Sequence, residues 1–371
     1  MSFNFHVPVN VFFGRGELDN LHKHALPGKK ALVVISNGKS ARANGYLDRL
    51  LSQLDMAGVK HALFDKVEPN PLKSTVMAGA QVARDNGCDF VVALGGGSVM
   101  DAAKAIACMA VNDGDLWDYM PWGTGKAKEK QHKDLPLVCI STTAGTGSEN
   151  EKTAYFGEFP VLSIVDADLM ASVPAKQTAY QGFDALFHST EAYIANTANL
   201  MSDMFARAAI ENVGKYLARA INNGRDMEAR EGMAFANSMS GYVMCVGSCT
   251  SEHSLEHALS AYHQELPHGA GLIMISKAYY THMIKAGVRG ERFVDMARFL
   301  GMTDAKEPMD FIKALDKLQH DCGVGELKMS DYGIKPEEFK TMAENAKDCM
   351  AALFNFDPAP LSLDDCVAIY Q

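Results

Sequence analysis

The sequence predicts an α/β domain built on a parallel sheet, followed by an all-helical domain. Three observations carry this. Short continuous apolar runs alternate with helical periodicity in the first half, strand signals stop at about Thr178, and 371 residues suits about two domains of roughly 150 residues each. The division is placed at 178/179, giving 1–178 as a nucleotide-binding domain and 179–371 as a helical one.

The elements follow in order. ALVVIS, Ala31 to Ser36, is an apolar run stopped by Asn37-Gly38, and a helical pattern with Leu47, Leu50, Leu51 and Leu54 on one face comes after it. His61 to Phe64 is a second run. DFVVALGGG, Asp89 to Gly97, is a third, leading into a helix from Val99 to Val111, and LPLVCIS, Leu135 to Ser141, is a fourth. Continuous apolar strands separated by helices indicate a parallel sheet covered on both faces, wound by right-handed crossovers. In the second half, helical patterns cover Met201–Asn222, Glu228–Val246, Ser254–Tyr262, Ala270–Ala286, Phe293–Leu300, Pro308–Cys322 and Pro336–Ala346.

Composition narrows the function classes. Hydrophobic residues make up 47% and charged residues 22%, which excludes disordered and low-complexity scaffolds. The net charge of −10 repels phosphate backbones, so nucleic acid is not an expected partner. The basic cluster Lys126, Lys128, Lys130 and Lys133 reads as a solvated loop. Gly232–Ser251 carries no Asp, Glu, Lys or Arg, but its serines, Asn237 and Thr250 make it too polar for a bilayer span. No signal segment is visible, and the eight cysteines form no C-x-x-C pair, so free thiols in a reducing cytoplasm are expected. Cys245 and Cys249 are read as sharing a helical face, without a second pair to make a metal site.

Two kinds of segment carry chemistry. Gly95, Gly96, Gly97 and Ser98 lie between a strand and a helix, a turn that suits either a pyrophosphate on the helix N-terminus or plain close packing. Asp101 sits in that helix's first turn, where an acid is favourable whether or not it has a functional role. The segment Ser141–Ser148 puts hydroxyls and glycines at a strand's C-terminal end, where α/β sheets bind ligands. Asp184 and His188 are spaced i, i+4, as are His253 and His257, and His268 follows in a Pro-His-Gly turn. One carboxylate with several imidazoles suits Fe²⁺ or Zn²⁺, while a single buried histidine is commonly a satisfied core residue. His263 and Glu265 are read as solvent-facing. Tyr155, Phe156, Met244, Cys245 and His263 are candidates to shape a substrate pocket, and core packing accounts equally well for the apolar ones.

FFGRGEL, VEPNP at Val67–Pro71, LGGGSVMDAAKA, STTAGTGSE, IVDADLM at Ile164–Met170, GFDALFHSTEAY and HALSAYHQELPHGAG, in this order, closely resemble the iron-containing (group III) alcohol dehydrogenase family. The resemblance covers nearly the whole chain. It implies the dehydroquinate-synthase-like fold, with a nucleotide-binding α/β domain, an all-helical domain and the metal in a cleft. It implies Asp184, His188, His253 and His268 as metal ligands and matches His257 to a histidine that lies near the metal without ligating it; on the helical face it shares with His253, His257 is the expected catalytic proton relay. Gly96, Gly97 and Ser98 match the pyrophosphate loop, Gly95 and Asp101 beside them are expected to bind the cofactor by their place in the turn, and Asn70, Thr142, Thr143 and Thr146 match positions lining the cofactor. Between Ser36 and Arg42 no acid is present. Gly38, Lys39 and Ser40 look like the pattern of NADP-using members, which favours NADP(H) over NAD(H).

Two features depart from the family pattern: a shorter stretch between GTGSE and IVD, and a longer spacing from His257 to His268. The implied activity is reversible hydride transfer between a nicotinamide and a small alcohol or aldehyde, by a cytoplasmic homo-oligomer with no membrane partner. Glycerol-dehydrogenase-like polyol oxidation and a dehydroquinate-synthase-like lyase are the alternatives.

Overall fold

The computed structural model describes residues 3–152 and 157–371. The candidate pocket residues Tyr155 and Phe156, within the shortened stretch, lie outside the described residues. The chain divides into two compact units, His6–Ser172 and Met1–Phe5 with Val173–Gln371. The division falls ahead of position 178 because a helix already starts at Ala175, with Pro174 as its N-terminal flank, and runs unbroken to Ile194.

The first unit is organised on a parallel sheet of six strands among the described residues: β1 Asn10–Phe13, β2 Lys30–Ser36, β3 Lys60–Val67, β4 Phe90–Gly95, β5 Leu137–Ser141 and β6 Leu162–Val165, in the order β1-β6-β5-β4-β2-β3. Its helices are α1 Ser40–Ala43, α2 Tyr46–Met56, α3 Lys73–Asp85, α4 Gly97–Met109 and α5 Leu116–Tyr119. The continuous apolar runs have a direct cause. Alternate residues face opposite sides of the sheet, and both sides are covered. Leu32, Val34, Val91, Ala93, Leu137 and Cys139 pack on one side with Val76, Ala80 and Ile106 of α3 and α4. Ala31, Val33, Ile35, Val92, Leu94, Val138 and Ile140 pack on the other with Leu47, Leu50 and Leu54 of α2.

Helix bounds shift from the sequence reading by a few residues, as at α4, which runs Gly97–Met109 rather than Val99–Val111. The run ending at Gly97 stops as a strand at Gly95, and Gly97 is already helical. β1 was not anticipated: it is four residues at the sheet edge, too short to show a pattern.

The order β2–β3 on one side and β4–β5–β6 on the other reverses direction between β2 and β4. Ligands of open α/β sheets sit at the C-terminal ends of the strands beside such a reversal. The two turns there are Asn37–Lys39 after β2 and Gly96 after β4.

The second unit is helical: α6 Ala175–Ile194, α7 Leu200–Asn222, α8 Met227–Val246, α9 Ser251–Tyr262, α10 His268–Lys285, α11 Gly290–Phe299, α12 Asp310–Asp321, α13 Phe339–Cys349, α14 Ala351–Phe354 and α15 Leu363–Tyr370. Asn199 opens α7 by accepting from the N–H groups of Met201 and Ser202, a capping box that the sequence around it specifies. Phe187, Tyr280, Phe293 and Phe311 form its fully buried aromatic centre, with Tyr280 and Phe311 edge to face at 5.1 Å. Cys249 lies beyond the end of α8, so it does not share a helical face with Cys245. No described helix is long and apolar enough to cross a membrane.

Candidate metal centre and nucleotide turn

Asp184 and His188 project from one face of α6, because positions four apart on a helix are neighbours. His253 comes from the first turn of α9, and His268 is the first residue of α10. These segments meet at one atom. Asp184 Oδ1 lies 3.3 Å from His188 Nδ1, 3.5 Å from His253 Nε2 and 3.4 Å from His268 Nε2. Asp184 Oδ1, His188 Nδ1 and His253 Nε2 are buried and have no hydrogen-bond partner. Buried polar atoms of native proteins are almost always paired, and several orphans aimed at one point are what a cation would satisfy.

Behind the imidazoles stand two carboxylates that the sequence reading missed. Glu191 accepts from His253 Nδ1 and is itself held by Thr250, whose N–H and hydroxyl donate at 2.5 and 3.0 Å. Glu256 accepts from His268 Nδ1 and from the Ser260 hydroxyl at 2.5 Å. An acceptor on Nδ1 fixes the proton there and leaves the Nε2 lone pair for a cation held between Nε2 and Asp184 Oδ1. Close approach makes this possible. A Cβ on Gly271 of α10 would meet Glu256 Oε1 at 2.6 Å. The missed carboxylates carry a signal all the same: Glu191 is three residues after His188, and Glu256 three after His253.

The electrostatics follow from this crowding. Burial would raise the Asp184 carboxyl, but the facing His188 and His268 outweigh it and hold it well below its ordinary range. Burial lowers His188 to about 4. Burial also opposes the charge on His268, yet Glu256 and Asp184 outweigh it and raise that ring to about 10. Protons therefore balance the carboxylates here, and a bound dication would take over that balance as it displaced them.

His257 is not among the residues paired with Asp184 Oδ1, but a ring nitrogen of it lies within 4.8 Å of donor atoms of Glu256 and His268. Its ring centroid is 5.2 Å from that of His268 and its Nδ1 is 3.0 Å from Met350 Sδ, and it is exposed to solvent. His263 pairs with Glu338 at 3.2 Å, so it is only partly a surface residue, and Glu265 is exposed. In the basic loop Lys126 and Lys130 pair with Asp118 and Asp134 at 2.7 and 3.0 Å, which dissolves the cluster as a positive patch.

The predicted nucleotide positions lie in the first unit. Gly95 ends β4, Gly96 flanks α4, and Gly97 and Ser98 are its first two residues, so the turn leads straight into unpaired helix N–H groups. A Cβ on Gly96 would lie 2.8 Å from Thr143 Cγ2, and one on Gly97 2.4 Å from Thr146 Cγ2. Thr142 N–H donates to Gly95 O at 3.0 Å, joining the two loops. Asp101 accepts from the Ser148 hydroxyl at 2.5 Å, a tie between the same loops. Another unforeseen tie is Lys104. It is fully buried on α4 and donates to Ser148 Oγ at 2.7 Å and Glu151 Oε1 at 2.6 Å. Gly38, Lys39 and Ser40 are exposed at the end of β2, where Arg42 pairs with Asp65 of β3 at 2.7 Å. Asn70 follows β3 in a left-handed conformation, φ 50°, which Asn tolerates better than most residues.

Comparison with known proteins agrees in both units. Residues 8–166 match the family model described as iron-containing alcohol dehydrogenase, and residues 178–371 the one described as Fe-containing alcohol dehydrogenase family, C-terminal. The chain is 34% identical to the 1,3-propanediol dehydrogenase of Citrobacter freundii, covering 93% of this chain and 92% of that one. It is 31% identical to the NAD-dependent methanol dehydrogenase of Bacillus methanolicus, covering 92% and 93%. Among solved structures, an archaeal halo-thermophilic alcohol dehydrogenase from a Red Sea brine pool superposes with a TM-score of 0.92 at 30% identity, over 100% of this chain and 98% of that one. This chain belongs to the iron-containing alcohol dehydrogenase family.

Proposed function

We propose that this alcohol dehydrogenase interconverts small primary alcohols or diols and their aldehydes, using iron held by Asp184, His188, His253 and His268. The observation that carries the residue assignment is the convergence of three histidine nitrogens on Asp184 Oδ1, with buried atoms left unpaired there. When bound, iron supplies a Lewis acid for the substrate oxygen and the nicotinamide supplies or accepts the hydride.

The chain's own residues do the rest. Glu191 and Glu256 orient the two imidazoles and keep their Nε2 lone pairs available. The turn Gly95–Ser98, with Thr142, Thr143 and Thr146 against it, offers helix N–H groups to a pyrophosphate, Asp101 ties the two loops together, and Asn70 is a further cofactor-lining position. His257 exchanges protons with water, which its exposure supports, and so serves as the proton relay near the site.

For cofactor choice, the absence of an acid between Ser36 and Arg42 and the exposed Lys39 and Ser40 support NADP(H) over NAD(H). Eight free cysteines support a reducing, cytoplasmic setting. Exposed Leu200 and Met204, at 69% and 56%, support self-association into a homo-oligomer.

The test is elemental analysis of anaerobically purified protein, joined to an alcohol and aldehyde panel read with NADH and NADPH in parallel. His268→Ala should lose both iron and turnover. Full turnover in rigorously metal-free protein would overturn the assignment. His257→Ala should keep its metal and lose roughly 10²- to 10⁴-fold in rate, the usual range for a general acid–base group. Unchanged turnover across pH at equal metal content would remove it from the proton path.

A further inference from the structure

Cys249 is a buried thiol in the loop between α8 and α9 that the function above does not use. It offers Sγ, and His188 and His253 each offer a ring nitrogen, with all three donor atoms within 4.8 Å of one another. Asp184, His253 and His268 satisfy the same limit, so the two sets share His253. The second observation lies on the histidines: His253 Nε2, on a residue 3% exposed, and His188 Nδ1 are buried without a hydrogen-bond partner, and they are the atoms that face Asp184 Oδ1. The thiol's neighbour is the Met244 thioether at 3.4 Å, a weak acceptor that is easily given up.

We propose that Cys249 is a further metal ligand, and that with His188 and His253 it gives this chain a softer coordination set flanking Asp184. The inference rests on the reading of Asp184 and the three histidines as a cation site. The carboxylate side, with oxygen and nitrogen donors, suits Fe²⁺. The thiolate side, with sulfur and two nitrogens, suits a thiophilic dication such as Zn²⁺. Zinc–nitrogen bonds of about 2.1 Å and a zinc–sulfur bond of about 2.3 Å would bring tetrahedral donors to about 3.5 Å apart. On ligation the Sγ–H bond breaks, its proton leaves to solvent and a metal–sulfur bond forms, with no change of oxidation state. Zinc and iron would then compete for His188 and His253, and zinc would displace iron by recruiting the thiolate.

The experiment titrates Co²⁺ into metal-free full-length protein under anaerobic conditions and follows the thiolate-to-cobalt charge-transfer band in the near ultraviolet. Wild type should show the band. Cys249→Ser and Cys249→Ala should lose it while still binding Co²⁺, and Cys245→Ser should retain it. In zinc-against-iron competition, Cys249→Ser should lose at least the roughly 10- to 100-fold in zinc affinity that even an outer partner costs. Cobalt binding to wild type without the band, or a band that survives in both Cys249 variants, overturns this inference and leaves the Asp184 site standing. Failure of wild type to bind Co²⁺ at all overturns the cation site itself. Absence of the band in cobalt-loaded wild type overturns the inference by itself, and either Cys249 variant that folds assigns a band that is present.

Discussion

Glu191 and Glu256 show how much of this site lies one residue behind its donors. Each accepts from the Nδ1 of an imidazole whose Nε2 faces Asp184. Glu256→Gln keeps an acceptor in nearly the same place and removes its charge. It should therefore fold normally and bind iron about 10- to 100-fold more weakly, measured by competition with a chelator. An unchanged metal affinity would mean that Glu256 only packs against Gly271. Glu191→Gln should cost stability as well, because Thr250 N–H and Oγ1 both donate to that carboxylate from the start of α9. In the sequence Asp184 and His188 stand out by their i, i+4 spacing, His253 by its spacing from His257 and His268 by its Pro-His-Gly turn, and the family resemblance implies all four as ligands. The two glutamates do not stand out, since a glutamate on a helix reads by default as a solvated surface residue. Their burial comes from the approach of α10, which is a tertiary fact.

The turn between β4 and α4 works as an element because two loops lock against each other. Gly97→Ala would set a methyl 2.4 Å from Thr146 Cγ2. Overpacking of this kind costs typically about 1–3 kcal/mol and would displace the first N–H groups of α4. The expected outcome is a raised KM for the nicotinamide with metal content unchanged. Gly97→Ala combined with Thr146→Ser, which removes the opposing methyl, should recover part of the loss in both cofactor binding and melting temperature. No recovery would show that the turn is not limited by this contact. Lys104 is the electrostatic counterpart. Replacing it with Met leaves Glu151 without its buried ammonium partner, and breaking such a pair costs about 3–5 kcal/mol, readable by denaturant unfolding. The strands β2, β4 and β5 were legible because both faces of a parallel sheet demand apolar side chains. The Lys104 tie was not: its burial depends on the loop after β5 folding over α4, and nothing local in DAAKA announces that.

At the scale of the whole molecule, each unit has its own core, and the helical unit holds a last segment in place through Asp357. That carboxylate accepts from Ser251 N–H at 3.0 Å and from the Tyr279 hydroxyl at 2.8 Å, and its backbone carbonyl accepts from Asn196 at 2.6 Å. It therefore joins the segment after α14 to the N-terminus of α9 and to α10. Its Oδ2 is buried without a partner, and burial raises the group from 3.8 to about 6. Between about pH 4 and 6 the native chain thus holds a proton that the unfolded chain has lost. Stability from this group is complete below about pH 4, falls as pH rises to 6, and stays lower above that, where the native and unfolded chains have both lost the proton. The shift of about two pH units corresponds to a penalty of roughly 3 kcal/mol at neutral pH. Asp357→Asn keeps an acceptor for Ser251 and Tyr279 and places an uncharged amide at the orphan position. Its melting temperature relative to wild type should rise between pH 4 and 6 and level off above, by about 2–4 °C for each kcal/mol recovered. Comparing the two proteins at each pH and equal metal content cancels the titration of the histidines, which both share. A difference that is flat across this range, or that shrinks as pH rises, would mean that Asp357 is ionised in the native state throughout and that its partners, not its burial, set its charge.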